Sequence, residues 1–232
     1  MRALVVAGTD TDVGKTVVTA ALAALARDRG ERVSVVKPVQ TGVGADEPGD
    51  LDVVRRLSGV EDLHELARFS DPLAPATAAR RAGVTPPPVT QLAQRIRTLT
   101  ARDLVLIEGA GGVLVRFDEA DRTIADLALA LGAPVVLVAR AGLGTLNHTA
   151  LSCEALRARG VSCLGVVIGA WPADPDLAAT CNLDDLPDYA GVALLGRLPA
   201  GAGQLDAPRF AEVAITELRH AAAVLLCDRA HP

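Results

Sequence analysis

The chain has 232 residues, of which 50% are hydrophobic and only 2% aromatic, and its formal net charge is −5. This length fits a single α/β domain with a substantial core, in which Val and Leu fill buried strands and Ala suits closely packed helices. The negative charge argues against a general nucleic-acid surface. No apolar run suits a signal peptide or a membrane span, which indicates a cytoplasmic protein without membrane attachment. The cysteines, at positions 153, 163, 181 and 227, have no metal-binding spacing and are expected to be reduced.

Short apolar runs alternate with amphipathic or Ala-rich segments along the chain. The runs predict strands at residues 3–7, 33–36, 104–107, 135–138, 164–168 and 192–195. The segments predict helices at residues 15–28, 51–57, 89–99, 124–131, 146–159 and 208–225. This alternation predicts an α/β fold, a doubly wound and mostly parallel sheet with helices on both faces. Ligands are then expected at the carboxyl ends of the strands.

The first predicted strand runs into a loop, residues 8–16, that ends in Gly14, Lys15 and Thr16 and opens the first helix. A phosphate-binding loop needs small residues so that backbone N–H groups can point at phosphate oxygens. It also needs a Lys for the outer phosphates and a hydroxyl for Mg²⁺. Thr9 stands where the usual pattern has its first Gly, so this loop is one residue longer. ATP and Mg²⁺ are therefore expected, the alternative being an accidental Gly-Lys-Thr at a helix start.

Two carboxylates are candidate Mg²⁺ ligands beside Thr16. Glu108 follows the third apolar run and precedes a Gly-rich segment, which is the position of a Walker B acid. Its alternative is a solvated acid at a strand end. Asp50 is either a third ligand or the N-cap of the second predicted helix. Because Mg²⁺ beside phosphates takes few protein ligands, three such groups are sufficient.

Three further segments narrow the function. They are Lys-Pro-Val-Gln-Thr-Gly at residues 37–42, Glu-Gly-Ala-Gly-Gly at 108–112 and Leu-Gly-Thr-Leu-Asn-His at 143–148. With the variant P-loop, and in this order, they resemble the dethiobiotin synthetase family from the N-terminus to about Gly201. The resemblance implies a homodimer that converts 7,8-diaminopelargonic acid, CO₂ (or bicarbonate) and ATP to dethiobiotin, ADP and phosphate. One amine becomes a carbamate that takes the γ-phosphoryl group, and the second amine then closes the cyclic urea.

The same resemblance implies a role for individual residues. The implied catalytic residues are Lys37, Lys15 and Thr11. The implied substrate contacts are Thr11, Lys37 and Thr41 at the amine or carbamate end, and Gly144, Thr145, Leu146 and Asn147, from the neighbouring subunit, at the carboxylate. The implied nucleotide contacts are Asp12, Val13, Gly14, Lys15, Thr16, Val17, Asp50, Glu108, Gly109, Ala110, Gly111, Gly169, Ala170, Pro199, Ala200 and Gly201. The alternatives are a solvated Lys37 and an Asn147 that merely starts a helix.

One departure from the family pattern concerns the nucleobase. Many members carry an Asn after the fifth strand that reads the adenine edge, whereas this chain has Gly169 followed by Ala170. Losing a side-chain hydrogen-bonding pair weakens discrimination between bases. We therefore expect nucleotides other than ATP to serve more readily than in an Asn-bearing relative.

The competing interpretation is a partitioning-type regulatory P-loop ATPase, which has this architecture but works as a nucleotide-switched dimer on DNA or membrane. Those proteins carry a second Lys five residues before the P-loop Lys, and here that position is Asp10. The chain also lacks a basic amphipathic terminal helix of the kind that attaches to membranes. Both observations favour the synthetase.

Overall fold

The computed structural model describes residues 2–99 and 101–227, in which strands and helices alternate almost throughout. The elements are β1 (Arg2–Gly8), α1 (Lys15–Asp28), β2 (Val33–Lys37), β3 (Gln40–Thr41), α2 (Asp50–Ser58), β4 (Leu63–Glu65), β5 (Arg68–Phe69), α3 (Pro75–Arg81), α4 (Val89–Arg97), β6 (Leu104–Gly112), α5 (Ile124–Leu131), β7 (Val135–Ala139), α6 (Thr145–Ala158), β8 (Cys163–Trp171), α7 (Leu177–Ala190), β9 (Leu194–Pro199), α8 (Ala207–Glu217) and α9 (Arg219–Cys227).

Seven of the strands form one sheet in the order β4-β2-β6-β1-β7-β8-β9, and every strand pair in it is parallel. The short strands β3 and β5 pair with each other in a separate two-stranded sheet. From the central strand β1 the chain builds outward on one side and later on the other. The loop after β1 therefore lies where the strand order reverses, which is the usual ligand-binding position in such sheets.

Helices cover both faces of the large sheet. Side chains of β1 alternate between the two cores: Leu4 and Val6 pack on the side of α1, α2, α8 and α9, whereas Val5 and Ala7 pack on the side of α3 to α6. Strands buried on both faces read as continuous apolar runs in the sequence, as they do here. The predicted doubly wound α/β fold is confirmed.

Several strands are longer than their apolar runs predict. β2 continues to Lys37, β6 to Gly112 and β8 to Trp171. The ladder continues because neighbouring strands still pair there, as in Gly8 with Gly112 of β6. Polar and Gly residues that were expected in loops therefore lie on the ends of strands, where the sheet fixes their direction.

Two further predictions are wrong in extent. The last strand begins at Leu194 rather than residue 192, since Gly191 ends α7 with φ 66° and pairing with β8 starts only at Leu194. The predicted helix 208–225 is two helices that meet at the buried Leu218. The end of α8 lies directly on β9, where a Cβ on Gly196 would be 2.1 Å from the carbonyl oxygen of Glu217. Helices α3 and α7 were not predicted.

Two expectations about the environment of the chain can be compared with the structure. Within residues 2–99 and 101–227, no helix is long and apolar enough to cross a membrane. Cys153, Cys163 and Cys181 are free thiols. The side chain of Cys227 lies outside the described part of the chain.

Candidate active site

A cavity of about 800 Å³ opens at the carboxyl ends of β1, β2 and β6. This volume is in the range of ligand pockets. The sequence-predicted residues that line it are Thr11, Asp12, Gly14, Lys15, Thr16, Val17, Lys37, Thr41, Asp50, Glu108, Ala110 and Gly111. Residues from three of the four motifs, together with Asp50, therefore face one space.

The P-loop backbone leaves no room for side chains at two of its glycines. A Cβ on Gly8 would lie 2.8 Å from the carbonyl oxygen of Asp10. Gly14 has φ 95°, and a Cβ there would lie 2.7 Å from the carbonyl oxygen of Gly169. Asp12 also has a positive φ, of 56°. Small or left-handed residues are what such a loop needs to turn its N–H groups toward an anion.

Lys15 is buried at the base of this loop, and its Nζ donates to the carbonyl oxygen of Asp10 at 2.8 Å. Burial, followed by repulsion from Lys37, lowers the pKa of Lys15 to about 8. A nucleotide phosphate would supply the negative charge that this ammonium lacks.

Lys37 is held in an ion cluster, which we define as Lys37, Asp50 and Glu108. Its Nζ lies 2.5 Å from Oδ2 of Asp50 and 2.8 Å from Oε1 of Glu108, and it also donates to the carbonyl oxygen of Gly109 at 3.2 Å. Lys37 is only 3% exposed and Glu108 is fully buried. Neither is a solvated strand-end residue.

Burial and charge act in opposite directions on these groups. Burial alone would lower the pKa of Lys37, but Glu108 and Asp50 outweigh it and raise the pKa above its usual value. Burial would raise the pKa of Asp50, yet Lys37 lowers it. Burial raises the pKa of Glu108, although Lys37 works against that rise. The ammonium of Lys37 is thus charged at neutral pH and is the cation that both acids share.

The donor set around Glu108 fits Mg²⁺. Its Oε1 accepts from Thr16 Oγ1 at 2.8 Å, whereas its Oε2 is buried and has no hydrogen-bond partner among the described residues. Asp50 adds a second carboxylate, and Gly49 rather than Asp50 is the N-cap residue of α2. No group of three or more His, Cys, Asp and Glu residues forms a metal site in the described ranges. A set of two carboxylates and one hydroxyl suits a hard ion that also binds phosphate oxygens and water.

Other sequence-predicted residues do not line the cavity. Val13 and Gly109 lie beside it, within the P-loop and β6. Ala170 and Ala200 lie where the ends of β8 and β9 are joined, since Ala200 N donates to the carbonyl oxygen of Trp171 at 2.6 Å. The remaining predicted nucleotide contacts outside the lining are Gly169, Pro199 and Gly201.

The predicted carboxylate contacts also lie away from this chain's own cavity. Gly144, Thr145, Leu146 and Asn147 form the start of α6, with Gly144 at the N-cap. Asn147 is exposed, whereas Thr145 is buried and its hydroxyl has no hydrogen-bond partner in the described residues.

Gln40 lies within the segment 37–42 and lines the cavity, although the sequence predicted no role for it. Gln40 is 3% exposed, and its Oε1 accepts from the backbone N–H of Asp50 at 3.0 Å. Its place between Val39 and Thr41 in the segment 37–42 was the available signal. The cavity is further lined by residues for which the sequence had no signal: Val43, Pro72, Leu73, Ala74, Pro75 and Val115.

Comparison with known proteins identifies the family. The profile of the AAA domain family matches residues 2–208. The chain is 60% identical over 222 residues to the ATP-dependent dethiobiotin synthetase of Frankia casuarinae, covering 95% of this chain and 93% of that protein. It is 57% identical over 215 residues to the enzyme of the same name from Streptomyces coelicolor, covering 92% and 90%. The chain belongs to the dethiobiotin synthetase family.

Solved structures outside the dethiobiotin synthetase family have the same fold. The septum site-determining protein MinD of Pyrococcus horikoshii, complexed with Mg-ADP, superposes with a TM-score of 0.65 at 17% identity, covering 99% of this chain and 97% of that one. The ParA family ATPase of Chlorobium tepidum gives 0.57 at 11% identity, covering 97% and 98%. At these identities the likeness concerns the fold alone.

Position 10, where a regulatory ATPase would carry its second Lys, is an Asp in this member of the dethiobiotin synthetase family, and its side chain forms an ion pair. Asp10 Oδ2 lies 2.9 Å from Arg140 Nη2, and Asp10 Oδ1 accepts from the backbone N–H of Thr11. The Asp10 side chain thus attaches the outer part of the P-loop to the residue that follows β7. No cation projects from this position.

Gly169, where the family pattern led us to expect an Asn, is required by close packing. A Cβ there would lie 2.0 Å from the carbonyl oxygen of Val13 and 3.0 Å from Cα of Gly14. Both contacts are backbone atoms of the P-loop and cannot be relieved by a rotamer change. Any side chain at position 169 must therefore displace the phosphate-binding loop.

We predict that Gly169→Ala weakens ADP binding, with a cost of about 1–3 kcal/mol from overpacking against the P-loop. Isothermal titration calorimetry with ADP measures it. Gly142→Ala is the matched control, because a Cβ at Gly142 would meet nothing within 4 Å. Equal ADP affinities for the two variants would contradict the packing argument.

We predict that nucleotide binding depends on pH through Lys15. Its pKa of about 8 means that the ammonium loses its proton as the pH rises through that value, and the affinity for ADP without metal should then fall. Lys15 and Lys37 are the only lysines of the chain. NMR of protein labelled at lysine Cε should therefore show two signals, of which one titrates near pH 8. The Lys15→Gln variant should bind weakly and without this pH dependence; two signals that both titrate above about pH 10 would overturn the prediction.

Proposed function

We propose that the protein is an ATP-dependent dethiobiotin synthetase, a ligase that joins 7,8-diaminopelargonic acid and CO₂ into a cyclic urea and releases ADP and phosphate. One observation carries the proposal: 60% identity over nearly the full length of a curated dethiobiotin synthetase. The buried Lys37 beside a P-loop supports it, because the proposed chemistry needs a cation at that place. The whole chain would act as one synthetase domain in the cytoplasm.

The first chemical problem is to bring two anions together. A substrate amine adds to CO₂ and loses a proton, which gives a carbamate, and one carbamate oxygen attacks the γ-phosphorus while the bond to ADP breaks. Lys15 would hold the β- and γ-phosphates. Lys37, whose Nζ is fixed at the edge of the same cavity, would lie between the carbamate and the γ-phosphate. Oriented cations of this kind stabilise the charge that moves in phosphoryl transfer.

The second step is ring closure. The other amine attacks the carbamoyl carbon of the mixed anhydride, the carbon–oxygen bond to phosphate breaks, and the amine proton is lost to solvent. Thr11, in the P-loop, and Thr41, in β3, line the same cavity. Their hydroxyls would hold the amine and carbamate groups close enough for the intramolecular attack.

The remaining roles follow the donor chemistry. Thr16, Asp50 and Glu108 would hold Mg²⁺, which when bound neutralises phosphate charge. The backbone of residues 12–17 would hold the phosphates, with Gly109, Ala110 and Gly111 beside them. The ends of β8 and β9, residues 169–170 and 199–201, would flank the nucleobase.

The substrate carboxylate would be bound across a homodimer. Residues 144–147 lie outside the cavity of their own chain, which supports a role in the site of a second copy. They form the start of α6, a helix of 14 residues whose free N–H groups and dipole favour an anion.

Phosphate release from ATP and bicarbonate, with and without 7,8-diaminopelargonic acid, tests the proposal. Release that depends on the diamine, together with dethiobiotin detected by mass spectrometry, is expected. Lys37→Met should lower turnover by about 100-fold or more while ADP still binds, because it removes a cation from the transition state. Without diamine-dependent release the assignment fails, and full activity of Lys37→Met would remove that residue from the mechanism.

Base preference follows from Gly169. Turnover with ATP, CTP and GTP is expected to agree within about tenfold in kcat/KM, because no Asn amide is available at that position to read the adenine edge. Steady-state assays with each nucleotide measure this. A strict preference for ATP would show that the base is read by another group.

A further inference from the structure

We propose that Arg68 is a positioning residue that holds the segment 43–49 in place and thereby keeps Asp50 directed into the active site. The inference deepens the proposed function, on which its catalytic consequence rests. Arg68 belongs to none of the motifs that indicate the family, and it does not line the cavity. It acts through the segment that joins two cavity-lining residues, Thr41 and Asp50.

The guanidinium of Arg68 makes two kinds of contact at once. Its Nε and Nη2 donate to the two carboxylate oxygens of Glu65 at 2.6 and 2.8 Å. Its Nη1 donates to the carbonyl oxygens of Gly44 and Glu47, both at 2.7 Å. The bidentate carboxylate fixes the plane of the guanidinium, and the remaining nitrogen then points at the segment. Only a planar group with several donors can do both.

Arg68 and Glu65 both lie on strands that pair with strands of the active site. Arg68 pairs with Gln40 in the two-stranded sheet, so the backbone of β5 lies beside the strand that leads to Thr41. Glu65 is the register partner of Lys37 in the large sheet. Glu65, whose carboxylate orients Arg68, therefore lies on β4, the strand that pairs with β2 and its proposed catalytic residue Lys37.

The segment itself has few other attachments. Residues 43–49 form neither helix nor strand. Within the segment, the N–H of Gly44 donates to Oε2 of Glu47 at 3.0 Å, a bond that joins the segment only to itself. Arg68 supplies side-chain hydrogen bonds that attach its middle to the rest of the chain.

The far end of the segment leads directly into Asp50, the proposed metal ligand. Gln40 accepts from the N–H of Asp50, and the carboxylate of Asp52 accepts from the N–H of Gly49 at 2.8 Å. A Cβ on Gly49 would lie 3.0 Å from both Arg68 Nη2 and Gln40 Oε1, so the backbone there runs between these two side chains. Arg68 and Gln40 thus hold the approach to Asp50 from two sides.

Loss of the Arg68 contacts should therefore weaken metal binding without removing any of the proposed metal ligands. The middle of the segment would lose both carbonyl contacts and gain conformational freedom. Asp50 would then have to be ordered when the metal binds. The phosphate contacts of the P-loop lie on other elements and should be unchanged.

The experiment compares Arg68→Lys with Arg32→Met in the full chain. The Lys variant keeps a positive charge beside Glu65 but loses the fork that reaches the segment. Arg32 is the matched control, because it forms a similar bidentate pair, with Asp103, on residues that precede β2 and β6. Three quantities are measured: amide hydrogen exchange of residues 42–50, Mn²⁺ binding in the presence of ADP, and turnover as a function of Mg²⁺.

For Arg68→Lys, exchange in residues 42–50 should rise about tenfold and the dissociation constant for Mn²⁺ should rise by a similar factor, as for one lost hydrogen bond to a charged group. The Mg²⁺ concentration for half-maximal turnover should rise in parallel. ADP affinity without metal should change by less than about twofold, since the P-loop is untouched. Arg32→Met should change none of these.

Unchanged exchange in residues 42–50, or faster exchange with unchanged Mn²⁺ binding, would overturn the proposal. If Arg68→Lys does not fold, Gly49→Ala perturbs the same contact from the backbone side and should shift both quantities in the same direction. Exchange and Mn²⁺ binding need no diamine substrate. Failure of the proposed function would appear as absent phosphate release, and the positioning role would still be decided.

Discussion

The ion cluster of Lys37, Asp50 and Glu108 is the interaction on which the site depends. Bringing Lys37 and Glu108 out of water costs several kcal/mol for each ion, and removing the ammonium would leave two carboxylates facing each other without a counterion. The ends of β2 and β6 and the start of α2 must therefore meet in one arrangement. Thr16, at the start of α1, donates a hydrogen bond to the carboxylate of Glu108. The cavity between these elements is thus shaped by charge balance as well as by packing.

The cations around the site differ in shape, and each shape suits its contacts. Lys37 and Lys15 are the only lysines of the chain, and every other residue counted among its basic side chains is Arg. An ammonium is a compact point charge that fits between two carboxylates or beneath a loop, whereas a guanidinium is a wide planar fork. Arg68 uses that fork where carbonyls and a carboxylate must be held together.

A common fold and a different local chemistry coexist in this chain. The fold is shared with the solved structures of a MinD protein and a ParA family ATPase. The fold supplies oriented N–H groups for phosphate at the strand-order reversal, which many reactions can use. The local chemistry of this chain comes from single positions: Asp10 pairs with Arg140, and Lys37 lies at the end of β2.

The sequence by itself determined the fold class and the P-loop, and it placed Lys37 and Glu108 after neighbouring apolar runs. Local spacing is sufficient for these, because apolar runs mark parallel strands whose carboxyl ends lie at one edge of the sheet. Tertiary structure alone decided the break at Leu218, the need for glycine at position 169 and the role of Arg68. Arg68 meets the carbonyl groups of residues 24 and 21 positions away. Contacts of that kind leave no periodic signal in the sequence, since they depend on how separate elements pack.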